Sequence, residues 1–279
     1  MMRISLSVRN LALLLAALCI ASVLARAEER TPLLDAGYAS MYNLQFDAAH
    51  QAFQQWETAH PADPMGPVSD AAAFLFAEFN RLHVLELELF TDDNRFEGRS
   101  VAPADPQLKQ KFESQLARTK QLADAALQRD AKDANALFAE TLALGLRGDY
   151  LAMVEKHELQ GLSYMKQGRA VAERLLASDP GCYDAYLAIG VENYLLSLKP
   201  APLRWMLRLG GAQTDKETGL QKLRITAEKG HYLRSYARLL LAVAALRDQD
   251  AGKARSLLAG LASDYPQNPL YGDELARVK

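Results

Sequence analysis

Asp179-Pro180-Gly181-Cys182-Tyr183-Asp184-Ala185-Tyr186-Leu187-Ala188-Ile189-Gly190 opens the stretch that decides the fold, and Lys229-Gly230 closes it. Asp179-Pro180 stops whatever precedes it, because proline cannot continue a helix. Ala185 to Gly190 then reads as an apolar helix, and Thr214 to Lys229 as a polar, capped one. In the cap, Thr214-Asp215-Lys216-Glu217, the Thr214 oxygen is expected to take the Glu217 amide while Glu217 reaches back. Between the two helices the connection is expanded: Lys199 to Gly211 is rich in Pro, Leu, Trp and Arg. Such a pair cannot hide its apolar flank alone and needs neighbours of the same kind, so it reads as one hairpin of a repeat array.

Working outward, the same grammar recurs. Gly37, Ala49, Phe53 and Pro61 are spaced by 12, 4 and 8 residues. Two small residues let antiparallel helices approach, the aromatic plugs the gap, and the proline ends the second helix. Phe74, Leu75, Phe79, Leu82, Leu85 and Leu89 predict a helix over 68–90; Thr91-Asp92-Asp93-Asn94, Gly98 and Pro103 predict a loop over 91–104; residues 105–130 resume as an amphipathic helix. Asp133 caps the next helix, 158–178 is its partner, and Gly190 stands ten residues after Pro180. Tyr232–Arg247 and Asp250–Asp264 form a fifth pair, in which Ala254, Leu258, Leu261 and Pro266 keep the spacings 4, 3 and 5. Residues 269–278 read as the short terminal cap that a helical array needs over its last apolar face. The expected architecture is all-α: a right-handed solenoid of about five antiparallel hairpins with a C-terminal capping helix.

Residues 1–27 stand apart. Arg3 and Arg9 precede an apolar run from Leu11 to Leu24, and Ala25-Arg26-Ala27 is a small-x-small site, which is the pattern of a secretory signal peptide. The expectation is an exported chain, periplasmic or secreted, with residues 28–279 as its helical-repeat domain. Removing 1–27 removes three Arg and no acid, so the formal charge moves from −2 to −5. A mildly acidic chain without clustered basic charge excludes nucleic acid as the expected partner. Cys182 alone remains after processing, so no internal disulfide is expected.

The hairpins resemble tetratricopeptide repeats. The block Asn193-Tyr194-Leu195-Leu196-Ser197-Leu198-Lys199-Pro200, then Trp205 to Gly211, then Thr214-Asp215-Lys216-Glu217-Thr218-Gly219-Leu220 is similar to the tetratricopeptide repeat protein 39 / inclusion-body-clearance family of eukaryotes. Those proteins carry an Asn-Leu-Leu-Leu-Ser-Leu-Leu-Pro run, a Leu- and Phe-rich bridge ending in Gly, then Asp-x-x-x-Gly-Leu-x-x-Leu. The likeness covers residues 130–270. It implies a fold and carries over no catalytic residue; that family is not secreted, whereas this chain begins with a secretory pattern.

Chemistry-bearing motifs are sparse. His157-Glu158 lacks the second His at position 161, which is Gly, so it is no zinc-protease helix. No Gly-x-Ser-x-Gly elbow occurs, and Gly210-Gly211 reads as a turn. Neither metal nor cofactor is expected. What remains is the inner wall made by the first helix of each pair, where the residues expected to meet a partner are Tyr38, Met41, Tyr42, Phe138, Leu187, Val191, Tyr194 and Tyr236. An open apolar trough is unfavourable at about 25 cal/mol per Å², so something should fill it. Either the 199–213 segment folds back as a plug or lid through Leu203, Trp205 and Met206, or an outside molecule enters. The functional expectation is an exported non-enzymatic scaffold that binds a protein or peptide partner. The alternative is a carrier of a hydrophobic small molecule or lipid, lidded by 199–211, and the lid segment has the composition for peripheral membrane contact.

Overall fold

The computed structural model describes residues 31–85 and 102–278. The expected leader, residues 1–27, lies outside the described residues, as does most of the loop expected at 91–104. Among the described residues there are twelve α-helices and no strand. The first pair is α1, Pro32–Tyr42, with α2, Phe46–Ala59. The second is α3, Met65–Arg81, with α4, Pro106–Arg129. The third is α5, Ala134–Asp149, which runs on through one π turn, Tyr150–Val154, and packs on α6, Glu158–Ser178. A 3₁₀ turn, Tyr183–Ala185, leads into α7, Tyr186–Ser197; α8, Ala201–Leu209, follows, then α9, Lys216–Lys229. The last elements are α10, Arg234–Arg247, α11, Ala251–Asp264, and α12, Pro269–Arg277. Helices pack mainly on their chain neighbours, with α7 against α9 across the inserted α8.

Side-chain caps set several boundaries. Asp105 accepts from the amides of Gln107 and Leu108 at 2.8 and 3.1 Å, Asp133 from Ala136 at 2.9 Å, and Asn268 from Leu270 at 3.0 Å. These satisfy amides that have no partner inside the helix. The cap of α9 falls one residue later than expected: Asp215, not Thr214, accepts from the Thr218 amide at 2.7 Å. The Thr214 hydroxyl is already engaged by Arg208 Nε at 2.6 Å, and Glu217 pairs with Arg224 at 3.0 Å instead of reaching back. A carboxylate is also the better acceptor at the positive end of a helix.

In the first pair a Cβ on Gly37 would sit 2.2 Å from Phe53 Cε1, so only glycine admits the ring there. Phe53 and Ala49 are fully buried, and Pro61 follows the end of α2. This is the role the spacing assigned to each.

The trough is not left open. Tyr38 stacks on Tyr232 with ring centroids 4.7 Å apart, Tyr42 meets Tyr265 at 5.3 Å, and Phe76 meets Tyr236 at 5.8 Å. The Tyr42 hydroxyl donates to the Tyr232 carbonyl at 2.9 Å, and Asn268 Nδ2 donates to the Tyr42 carbonyl at 2.8 Å. The first helix of the array therefore touches its last ones, and apolar inner faces bury one another.

Candidate functional site

Two buried polar knots tie elements of the fold together. Asp184, in the 3₁₀ turn before α7, accepts four amide bonds from the turn before α10: His231 at 2.9 and 3.1 Å, Tyr232 at 3.0 Å and Leu233 at 3.1 Å. Burial pushes its carboxyl up, and those amides pull it back down. The second knot joins α2, α3 and α4. His50 Nδ1 lies 2.5 Å from Asp70 Oδ1, Gln115 donates to Asp70 at 2.7 Å and to Glu57 at 3.2 Å, and Arg118 lies 3.2 Å from Glu57. The acid partner of His50 comes from the next pair. Every polar contact in this cluster is internal, which is the pattern of a clamp.

Between α1, α3, α5, α6, α7 and α10 the packed helices leave a cavity of about 100 Å³. Ligand sites are mostly apolar with few polar groups, and so is this one. Six of the eight inner-wall residues expected from the sequence line it: Tyr38, Met41, Tyr42, Leu187, Val191 and Tyr236. Their positions follow from α1, α7 and α10 each turning one face inward.

Phe138 and Tyr194 are placed elsewhere. Phe138 is buried in the core around Leu137 and Val171 and faces the Tyr232 ring at 6.4 Å. Tyr194 is 2 % exposed, at the far end of α7, where α9 covers it; a Cβ on Gly219 would come within 2.6 Å of its backbone nitrogen. Neither side chain lines the cavity or is free to receive a partner. The expected lid is also elsewhere: no residue of 199–213 lines the cavity, and Leu203, Trp205 and Met206 are exposed on α8. The insertion folds into its own helix, held by Lys166 on the Gly210 carbonyl and Arg169 on the Gly211 carbonyl at 3.2 Å. The inner faces of Tyr38 and Tyr42 that it was expected to cover are met instead by Tyr232 and Tyr265.

Most polar side chains on the cavity wall are already engaged. Tyr38 accepts from Ser69 at 3.1 Å, Thr141 donates to the Leu137 carbonyl at 2.8 Å, and Tyr42 and Asp184 are bonded as above. Asp149 and Tyr236 are different. Both line the cavity, and neither the carboxylate nor the hydroxyl has a hydrogen-bond partner among the described residues. Burial alone pushes the Asp149 carboxyl up to about 7, and burial together with the Asp149 charge raises the Tyr236 phenol. Asp149 stands directly before the π turn, an element frequent at functional sites. Sequence reasoning passed over Asp149. The available signal was Gly145, Gly148 and Gly161, since small residues on paired helices mark a close crossing, with an acid beside it. A Cβ on Gly161 would lie 2.8 Å from the Gly148 carbonyl, while one on Gly145 meets nothing within 4 Å and enters open space.

Comparison with protein-family models, curated proteins and solved structures finds no match. Among the described residues no group of three or more His, Cys, Asp or Glu is arranged to hold a metal ion. No described helix is long and apolar enough to cross a membrane.

Proposed function

We propose that the chain is an exported, non-catalytic binding protein, a tetratricopeptide-like right-handed array whose interior cavity takes a small, mainly apolar guest. The observation that carries this reading is an apolar cavity with two unengaged polar groups, Asp149 and Tyr236, on its wall. An acid kept without a partner in such a place works against stability, which is the usual mark of a site kept for function. The guest that fits has a hydrocarbon body and one hydrogen-bond-donating or cationic end.

Titration calorimetry with octylamine, octanol and octanoate tests this. Octylamine and octanol should bind, octanoate should not, and Gly145→Leu should abolish binding while the chain stays folded, because its side chain fills the cavity. Asp149→Asn should weaken octylamine about tenfold or more, the size of a hydrogen bond to a charged group, and leave octanol unchanged. No heat with any of the three, and no co-purifying small mass in native mass spectrometry, would overturn the reading.

A further inference from the structure

α8 is turned inside out relative to its neighbours. None of its residues is buried, and Trp205, Met206 and Leu209 are 64, 60 and 69 % exposed. Its polar residues face the body: Arg204 donates to the carbonyls of Ser197 and Lys199 at 3.2 and 3.1 Å, and Arg208 to Thr214. The apolar side is thus presented outward by a rigid helix whose inner side is pinned.

The charge around it says what covers that side. No acid occurs between Glu192 and Asp215, whereas Lys199, Arg204 and Arg208 fall in that interval. Lys166 joins them through its contact with the Gly210 carbonyl. None of these four cations makes an ion pair with a carboxylate among the described residues; of the acids that reach this segment, Asp215 caps α9, and Glu173 and Glu192 hold Gln213 and are paired with Arg169. This contrasts with the chain as a whole, whose net charge is −2. Trp and Leu on one face with Arg on the other, in a short helix, is the pattern of an element that lies in the plane of a bilayer interface. We propose that α8 docks the protein on an anionic lipid surface, its Trp205–Met206–Leu209 face among the acyl chains and the exposed Lys199 and Arg208 at the headgroups. A protein partner would not need this excess of unpaired cations.

The chain has two tryptophans, and Trp56 is buried, so Trp205 is a built-in reporter. The full chain is mixed with phosphatidylglycerol vesicles and, separately, with phosphatidylcholine vesicles. The expected result is a blue shift of Trp205 emission with the anionic vesicles only, weakened by high salt. The double variant Trp205→Ser, Leu209→Ser should reduce vesicle co-sedimentation at least about tenfold, with an unchanged melting temperature because both residues are exposed. Emission from α8 itself separates this contact from any made through the apolar run at Leu11–Leu24. No shift with anionic vesicles, an equal shift with neutral ones, or a dimer of the wild type that the double variant disperses in place of vesicle binding would overturn the proposal.

Discussion

At the residue scale Asp149 is the group whose titration folding changes most usefully. An unfolded aspartate titrates near 3.9, while the folded one is pushed up to about 7. Between those values the folded chain holds the extra proton, so this residue's contribution makes stability greatest at low pH. It falls as pH rises through that window and levels off above about 7. Asp149→Asn should remove this slope and stabilise the chain at pH 8 by on the order of 2 kcal/mol, less than the full shift implies because water can enter the cavity. At pH 4 it should change little. Denaturation of both proteins at the two pH values gives the difference directly; equal stability at pH 8 would mean that the carboxylate is solvated. Tyr194 gives a second residue-level expectation. It was read from the sequence as a partner contact, but it is buried against α9. Tyr194→Ala should therefore lower stability by about 3 kcal/mol or more, measured by urea unfolding. Helical spacing located the right face of α7 for Leu187 and Val191, and failed for Tyr194 because spacing does not say where a covering helix begins.

At the element scale, caps and spacing carried most of the information. Residues 158–178 could be read from periodicity and the Asp179-Pro180 stop, and the terminal helix near 269–278 from its place after the last pair; Asn268 caps its start and Pro269 opens it. The π turn at Tyr150–Val154 had no such sign, and α8 was read as a plug because apolar residues on a helix ordinarily face inward. The cap of α9 separates the two adjacent candidates. Asp215→Ala should cost about 1 kcal/mol, the usual loss of a side-chain cap, whereas Thr214→Ala should leave the α9 amides as protected as before. Hydrogen exchange at the Thr218 and Glu217 amides distinguishes them; faster exchange at Glu217 in the Thr214 variant, with Thr218 unchanged in the Asp215 variant, would place the cap where the sequence first suggested.

For the whole molecule, composition and repeats made the all-helical class legible, but not the way the ends meet. The Tyr42–Tyr232 and Tyr42–Asn268 bonds join residues 190 and 226 positions apart. No local pattern encodes a contact at that distance; only the apolar character of the inner wall hinted that it had to be covered. The cavity exists because the closing faces carry Gly145, Gly148 and Gly168 on one side and tyrosines on the other, which do not fill the space completely. If the array were an open trough, both the cavity and the role of Asp149 would vanish together. The most direct test is a nuclear Overhauser experiment on the aromatic protons of the tyrosine-labelled chain. Closure predicts cross-peaks between Tyr38 and Tyr232, whose ring centroids lie 4.7 Å apart, and between Tyr42 and Tyr265, at 5.3 Å; a folded, helical chain that shows neither would contradict it.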